Sequence, residues 1–506
     1  MEDGKTGDVV RKEPITVPLL EEHLSPATTL QLNHDHSEIQ DDLPSRVWVE
    51  SKKLWYIAGP SIFSSLASFS MIIVTQAFAG HFGNLELAAI ALSMTVIIGF
   101  SFGVLMGMSS ALETLCGQAY GAKQYHMIGI YMQRSLVVLT LCSILLLPLY
   151  VFTTPILKVL GQPDDLAELS GSITIWLIPL HFALALQFPL QISLQCQLKT
   201  PIIAWVCLGA LLFHIFLNWL AVYILGCGVI GVAATSNVSW WIIDLVLFSY
   251  IVGCGCPETW TGFSMEVFSG LWEFLKLSVA SGVMLCLENW YYNILVLMAG
   301  NLKNATVAVS ALTVCMIMVH SMSINGLESM ISLGFFASAG IRVANELGAG
   351  NGKAAKFAAE VSTITSLIIG ILICILIGIF HDKLAIVFTS SNVVLQAVDN
   401  LAFLLAFTIL LNSIQQVLSG VGIGLGWQAT VAYINLGCYY IIGLPLGAAL
   451  GWVLHLGVRG IWSGMIAGVA AQTLILIIIT IRCDWDMQAQ KASSRMNMLS
   501  NSSGKP

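Results

Sequence analysis

Apolar runs of about 20 residues, the length that crosses roughly 30 Å of hydrocarbon, follow one another along nearly the whole chain. They fall at 54–79, 87–111, 127–152, 170–190, 202–225, 229–253, 272–299, 306–340, 358–380, 395–419, 428–453 and 458–481. The pattern predicts an all-α integral membrane protein of twelve transmembrane helices, the eighth longer than one crossing needs. An even number of spans puts both tails on one side of the bilayer, and the positive-inside rule selects the side. Arg46, Lys52, Lys53, Lys123, Lys199, Arg342, Lys353, Lys356, Arg482 and Lys491 fall with the tails, against Lys158, Lys303, Lys383 and Arg459 opposite. Both termini are therefore expected in the cytosol.

The chain also repeats itself. Ala79-Gly80 with Ala91-Leu92 answers Ala299-Gly300 with Ala311-Leu312 at an offset of 220. Gly121-Ala122 answers Gly348-Ala349 at 227, and Gly228-Val229-Ile230-Gly231 answers Gly457-Val458-Arg459-Gly460 at 229. Each half then holds six helices, so the copies enter from the same side as parallel repeats and enclose a cleft near the midplane. The jump from 220 to 227 locates an insertion inside the eighth span. Seven residues keep a helix facing within about 20° but lengthen it by about 10 Å. The expected organisation is a tail over 1–45, a first lobe over 46–255, a linker over 256–271, a second lobe over 272–482 and a tail over 483–506.

Composition agrees. Of 506 residues 57% are hydrophobic and 10% charged, where a soluble domain carries roughly 25% charge. A soluble enzyme is excluded on that ground. Residues 1–45 are polar and acidic, lack the apolar region of a cleavable signal, and are expected to be disordered; residues 484–506 read the same way. The formal charge of −7 sits largely in the first tail and says little about partners. The twelve cysteines are scattered, and Cys254 with Cys256 lacks zinc-ribbon spacing, so free thiols are expected. A phosphate-binding GxxxxGK[ST] loop, a nucleophile elbow and a metal cluster are all missing. Neither catalysis, nor a cofactor, nor nucleic acid is implied.

The segments LETLCGQAYGAKQ (112–124), ETWTGFS (258–264), KLSVASGVMLCLENWYY (276–292), IRVANELGAGN (341–351), LSGVGIGLGWQ (418–428) and NLGCYYIIGLPLG (435–447) resemble those of plant multidrug-and-toxin-extrusion (MATE) transporters of the DETOXIFICATION type. The resemblance runs from about 45 to 485. It implies a 6+6 MATE fold and proton-coupled export of organic solutes from the cytosol, across the plasma membrane or into the vacuole. Two departures stand out. The family reads CMNINGxE where this chain has Cys315-Met316, then 317–323, then Ile324-Asn325-Gly326-Leu327-Glu328, and the extra stretch coincides with the insertion located by the offsets. Some plant relatives also carry an acid in helix 10 where this chain has Asn412.

Glu288 is the sharpest candidate for proton coupling. It stands in mid-span, where an ionised carboxylate costs roughly 2.5–3.5 kcal/mol or more, and it belongs to the MLCLE stretch of the resemblance. Its counterpart at offset 220 is Ser68, which leaves coupling to the second lobe. Tyr291 and Tyr292 share its helix face, where a phenol can hydrogen-bond either protonation state or stack on an aromatic solute, and with Gln415 and Gln416 they are candidates for the substrate-binding cavity; Asn412, Gln415 and Gln416 are also neutral partners of Glu288 able to donate or accept. Asn435, Tyr439 and Tyr440 are further cavity candidates. In the first lobe Gln187, Gln191 and Gln195 recur every four residues as a polar stripe suited to a wet cleft. Asp244, a second acid at membrane depth, and Glu328, in the INGxE motif, are secondary candidates. Glu113, Arg342 and Glu346 are read as salt bridges or caps at helix ends, and His181, His214 and His320 as packing residues. The expected activity is proton/organic solute antiport by a monomer, with protons, small organic solutes and the lipid bilayer as partners. The alternative is an anion pathway for citrate or chloride. Pro18-Leu19-Leu20 before Glu21-Glu22 resembles a vacuolar sorting signal, which ranks the vacuolar membrane ahead of the plasma membrane. Asn304-Ala305-Thr306 is a glycosylation sequon on the non-cytosolic side.

Overall fold

The computed structural model describes residues 42–300, 325–386 and 392–503. The sorting stretch 18–22, the sequon 304–306, the insertion 317–323 and His320 lie outside them. Residues up to Lys52 form a unit of their own, whose described part is the start of the first helix, with the Lys52 ammonium over the Trp48 ring.

Twelve helical segments follow in order among the described residues, nine of them long and apolar enough to cross a membrane and a tenth if the bent pair is one span. They are α1 (Leu43–Gly80), α2 (Asn84–Gly121), α3 (Tyr125–Val151), α4 (the bent pair Asp164–Trp176 and Ile178–Cys196), α5 (Thr200–Ile224) and α6 (Gly228–Gly253). Next come α7 (Leu271–Gly300), α8 (Asn325–Gly348), α9 (Gly352–Ile386), α10 (Asn392–Leu425), α11 (Gln428–Val453) and α12 (Gly457–Ile481). All twelve predicted spans therefore meet a helix. The eighth is described only from Asn325, and α1 starts well before 54 because its first turns, with Arg46, Lys52 and Lys53, carry charge rather than apolar residues.

The break in α4 has a local cause. Pro179 lacks the N–H that would bind the previous turn, and the two halves meet at 50°. Backbone groups freed at membrane depth must find partners inside the protein. Asn237 of α6 supplies both: its Nδ2 donates to the Trp176 carbonyl at 2.6 Å, and its Oδ1 accepts from Leu180 N at 2.9 Å.

The final tail corrects the expectation of disorder. Trp485–Ser503 is a helix, α13, and buries Trp485, Ala489, Ala492 and Met496. Three of these join the apolar cluster of α8, α9 and α10, while Met496 joins the first lobe's cluster. Such a segment cannot fold alone, but it packs where the bundle offers a surface.

Candidate functional site

The two lobes meet along α2 and α8. Gly117 and Gly121 on α2, and Gly340, Ala344 and Gly348 on α8, stand four residues apart and so share a face. Small residues let backbones close where lipid gives no hydrophobic drive. A Cβ on Gly117 would lie 2.6 Å from that of Ala344, and one on Gly121 2.8 Å from Ala349 N. The contact is reciprocal: Gly121 faces Asn345, and Gly348 faces Gln118, all at the offset of 227 read from the repeat. A local twofold axis therefore runs between these helices. The other matched glycines agree, since Gly228 and Gly457 open α6 and α12 at φ of 64° and 60°.

Hydrogen bonds fasten this end of the seam, the end nearer the tails. Thr114 Oγ1 donates to the Ile423 carbonyl at 2.6 Å, Gln428 Nε2 donates to Thr114 Oγ1 at 2.7 Å, and Gln118 Nε2 donates to the Gly424 carbonyl at 3.3 Å. On α8, Arg342 and Glu346 pair at 2.7 Å and are both buried, as the helix-end reading expects.

Toward mid-membrane the helices diverge around a cavity of about 150 Å³, bounded by α1, α2, α4, α6 and the Met330–Ala337 stretch of α8. It has room for several waters. Gln187, Gln191 and Gln195 all line it, so the four-residue stripe faces one space, and Gln195 Nε2 donates to Ser61 Oγ at 3.4 Å across it. Phe69, Phe102, Phe188 and Trp240 supply aromatic walls. Ser68 lines the cavity as well. The acid present is Glu113, and here the helix-end reading fails: Glu113 lies two turns inside α2, is 5% exposed, and has an oxygen, Oε2, without a hydrogen-bond partner.

Glu288 sits elsewhere, on α7 in the second lobe, and is 5% exposed. Gln416 Nε2 of α10 donates to its Oε1, while Oε2 has no partner. Among the described residues no cation pairs with it. Asn412 lies one turn before Gln416 on α10 and is buried; Gln415, fully buried, donates to Ser419 Oγ at 3.1 Å.

The tyrosine candidates enter a network inside the second lobe. Tyr291 stacks on Tyr439 at 4.3 Å and 10° and donates to the Met465 carbonyl at 2.8 Å. Tyr439 donates to Gln472 Oε1 at 2.8 Å, Gln472 to Asn435 Oδ1 at 2.8 Å, and Asn435 to the Met284 carbonyl at 3.2 Å. Tyr440 donates to the Leu287 carbonyl at 3.0 Å. This chain ties α7, α11 and α12 together. The side chains of Tyr292 and Glu328 lie outside the described residues.

A second network fills the first lobe around His214, which touches Thr75 Oγ1 at 3.0 Å and Ser239 Oγ at 2.8 Å. His181 bonds the Ser143 carbonyl at 3.0 Å. Both histidines are fully buried and packed, as expected. Asp244 of α6 is buried with neither oxygen partnered and does not line the cavity.

A twelve-helix bundle with a cleft at the seam of two related lobes, and acids buried without counter-charges, defines a secondary active transporter. The comparisons with known proteins give the family. The MatE family model matches residues 60–220 and 280–449. The chain is 59% identical to Protein DETOXIFICATION 27 of Arabidopsis thaliana over 473 residues, 93% of this chain and 96% of the relative. With Protein DETOXIFICATION 26 of the same plant the identity is 56% over 495 residues, 98% of each. The crystal structure of the eukaryotic MATE transporter AtDTX14 superposes with a TM-score of 0.83 at 33% identity, covering 89% of this chain and 99% of that one. The chain belongs to the MATE family and is an antiporter-type exporter with the 6+6 fold. None of these relatives supports the anion pathway.

Proposed function

We propose that this chain exchanges protons for organic solutes, with Glu288 as the proton carrier. One observation carries the reading: a carboxyl at membrane depth meets only neutral amides, Gln416 and Gln415, keeps its second oxygen without a hydrogen bond, and among the described residues has no cation. A permanently ionised group there would be costly, whereas a group that alternates between acid and anion fits an amide partner able to rearrange. In this reading Asn412, Gln415 and Gln416 adapt as the charge changes, and Tyr291, Asn435 and Tyr439 transmit that change through the second lobe. The solute enters the seam cavity against Gln187 and Gln191. Asp244 and Glu328 remain secondary. The working unit is a monomer with both termini cytosolic, in the vacuolar membrane.

The test uses purified protein in liposomes with the membrane potential clamped at zero. Ethidium is a suitable probe because it is planar and permanently charged, so a pH gradient alone cannot trap it. Wild type concentrates ethidium when a pH gradient is imposed, and Glu288→Gln concentrates it far less. Wild-type accumulation by that variant would refute the assignment.

A further inference from the structure

The geometry points to Glu113 as a second proton-binding site, distinct from Glu288 and placed at the tail-side seam. This rests on the proton-exchange reading above and extends it to the other lobe.

Three observations converge. First, Glu113 is buried on the cavity wall with Oε2 unpartnered. Second, its counterpart at the 227 offset is Gly340, and the two meet across the local twofold: a Cβ on Gly340 would lie 3.4 Å from Glu113 Oε2 and 2.9 Å from the Gly420 carbonyl. The second lobe thus has no side chain where the first has a carboxyl, and Glu113 Oε2 packs against the bare backbone of Gly340. Third, the neighbours bring no compensating charge to Oε2. On α8, Arg342 and Glu346 pair with each other. On α4, the Cys196 thiol donates to the main-chain oxygen of Glu113 at 3.8 Å, and α2 itself adds Cys116. On α3, Tyr131 is close enough to interact with Cys116, and α13 brings Arg495 beside Gly426. The polar side chains that α1 and α4 bring to the cavity wall are serines and glutamines, all neutral. Among the described residues no cation pairs with Glu113.

An anion buried without donor or cation is strongly disfavoured, so the closed seam requires the acid form. When α2 and α8 part, water reaches the buried Oε2 and the anion becomes tolerable. The O–H bond forms at Oε2 from hydronium in the cavity and breaks again to water. Seam closure thereby takes up a proton, and opening releases it.

The test is acid-to-alkali infrared difference spectroscopy of the full chain in liposomes, read in the carboxylic C=O region. No solute is needed. Wild type shows a band that Glu113→Gln removes and Glu113→Asp returns at a shifted frequency. Glu288→Gln removes a separate band. If the Glu113→Gln spectrum superposes on wild type, this inference is overturned while Glu288 stands. If Glu288→Gln instead leaves the spectrum unchanged, the earlier reading fails and Glu113 stands. Should Glu113→Gln not be recovered folded, Glu113→Asp decides: a shifted band supports the site and an unshifted one removes it.

Discussion

Substituting Gly121 by Ala separates the closed seam from the open one. A methyl there would lie 2.8 Å from both Ala349 N and the Asn345 carbonyl carbon, closer than real Cβ contacts come, and both obstacles are backbone that cannot rotate aside. Overpacking of this kind costs about 1–3 kcal/mol, and only while α2 and α8 are in contact. The gain in helix propensity, about 1 kcal/mol, applies to both states and cancels. The closed-to-open ratio should therefore fall by about 5- to 150-fold. His126 on α3 and Lys353 on α9 are exposed at the tail end of the two lobes, so spin labels there report the opening as a distance distribution by double electron–electron resonance. Gly209→Ala is the control, because nothing lies within 4 Å of a Cβ at that position. A distribution for Gly121→Ala indistinguishable from the control's would refute the claim that glycine clearance holds the seam.

Other expectations follow from the same contacts. If both carboxyls exchange protons, ethidium accumulation at zero potential should rise about a hundredfold per unit of pH gradient in wild type and about tenfold in Glu113→Gln; equal slopes exclude two exchanging groups. Asn237→Leu leaves the Trp176 carbonyl and Leu180 N without their partner and should destabilise by about 1–3 kcal/mol, seen as a lowered thermal midpoint; an unchanged midpoint means water or another group replaces the amide. Burial, and then Asp484, push the Cys483 thiol up to about 11. Its alkylation by iodoacetamide, which follows the thiolate, should climb about tenfold per pH unit from 8 towards 11, and a plateau near 9 contradicts that environment.

The helices were legible because lipid imposes a length and a composition that any apolar run of the right size satisfies. The repeat was legible because three glycine-containing matches keep their order, and Gly121 with Gly348 proves to sit on the twofold itself. The bend in α4 was not: Pro179 is visible in the sequence, but the amide of Asn237 that makes the break affordable lies 57 residues from the Leu180 N it binds. The glutamine stripe was found by its spacing, because periodicity survives without knowing what the helix faces. The burial of Glu113 was not legible, because it is produced by packing against α8, a helix from the other half of the chain. The carboxyl and the room for it are separate facts in a linear chain. Packing of α13 escaped for a related reason: Ala489, Ala492 and Met496 form a stripe too thin to signal burial until a surface is there to receive it.

That last helix has a practical meaning for anyone handling the protein. Its anchored stretch from Trp485 to Met496 shares clusters with both lobes, so the carboxyl terminus is not a neutral handle. A fluorescent protein or affinity tag fused there hangs from the moving parts, and its bulk or drag would register as altered turnover. Activity measured on such fusions should be compared with protein from which the appendage has been cleaved.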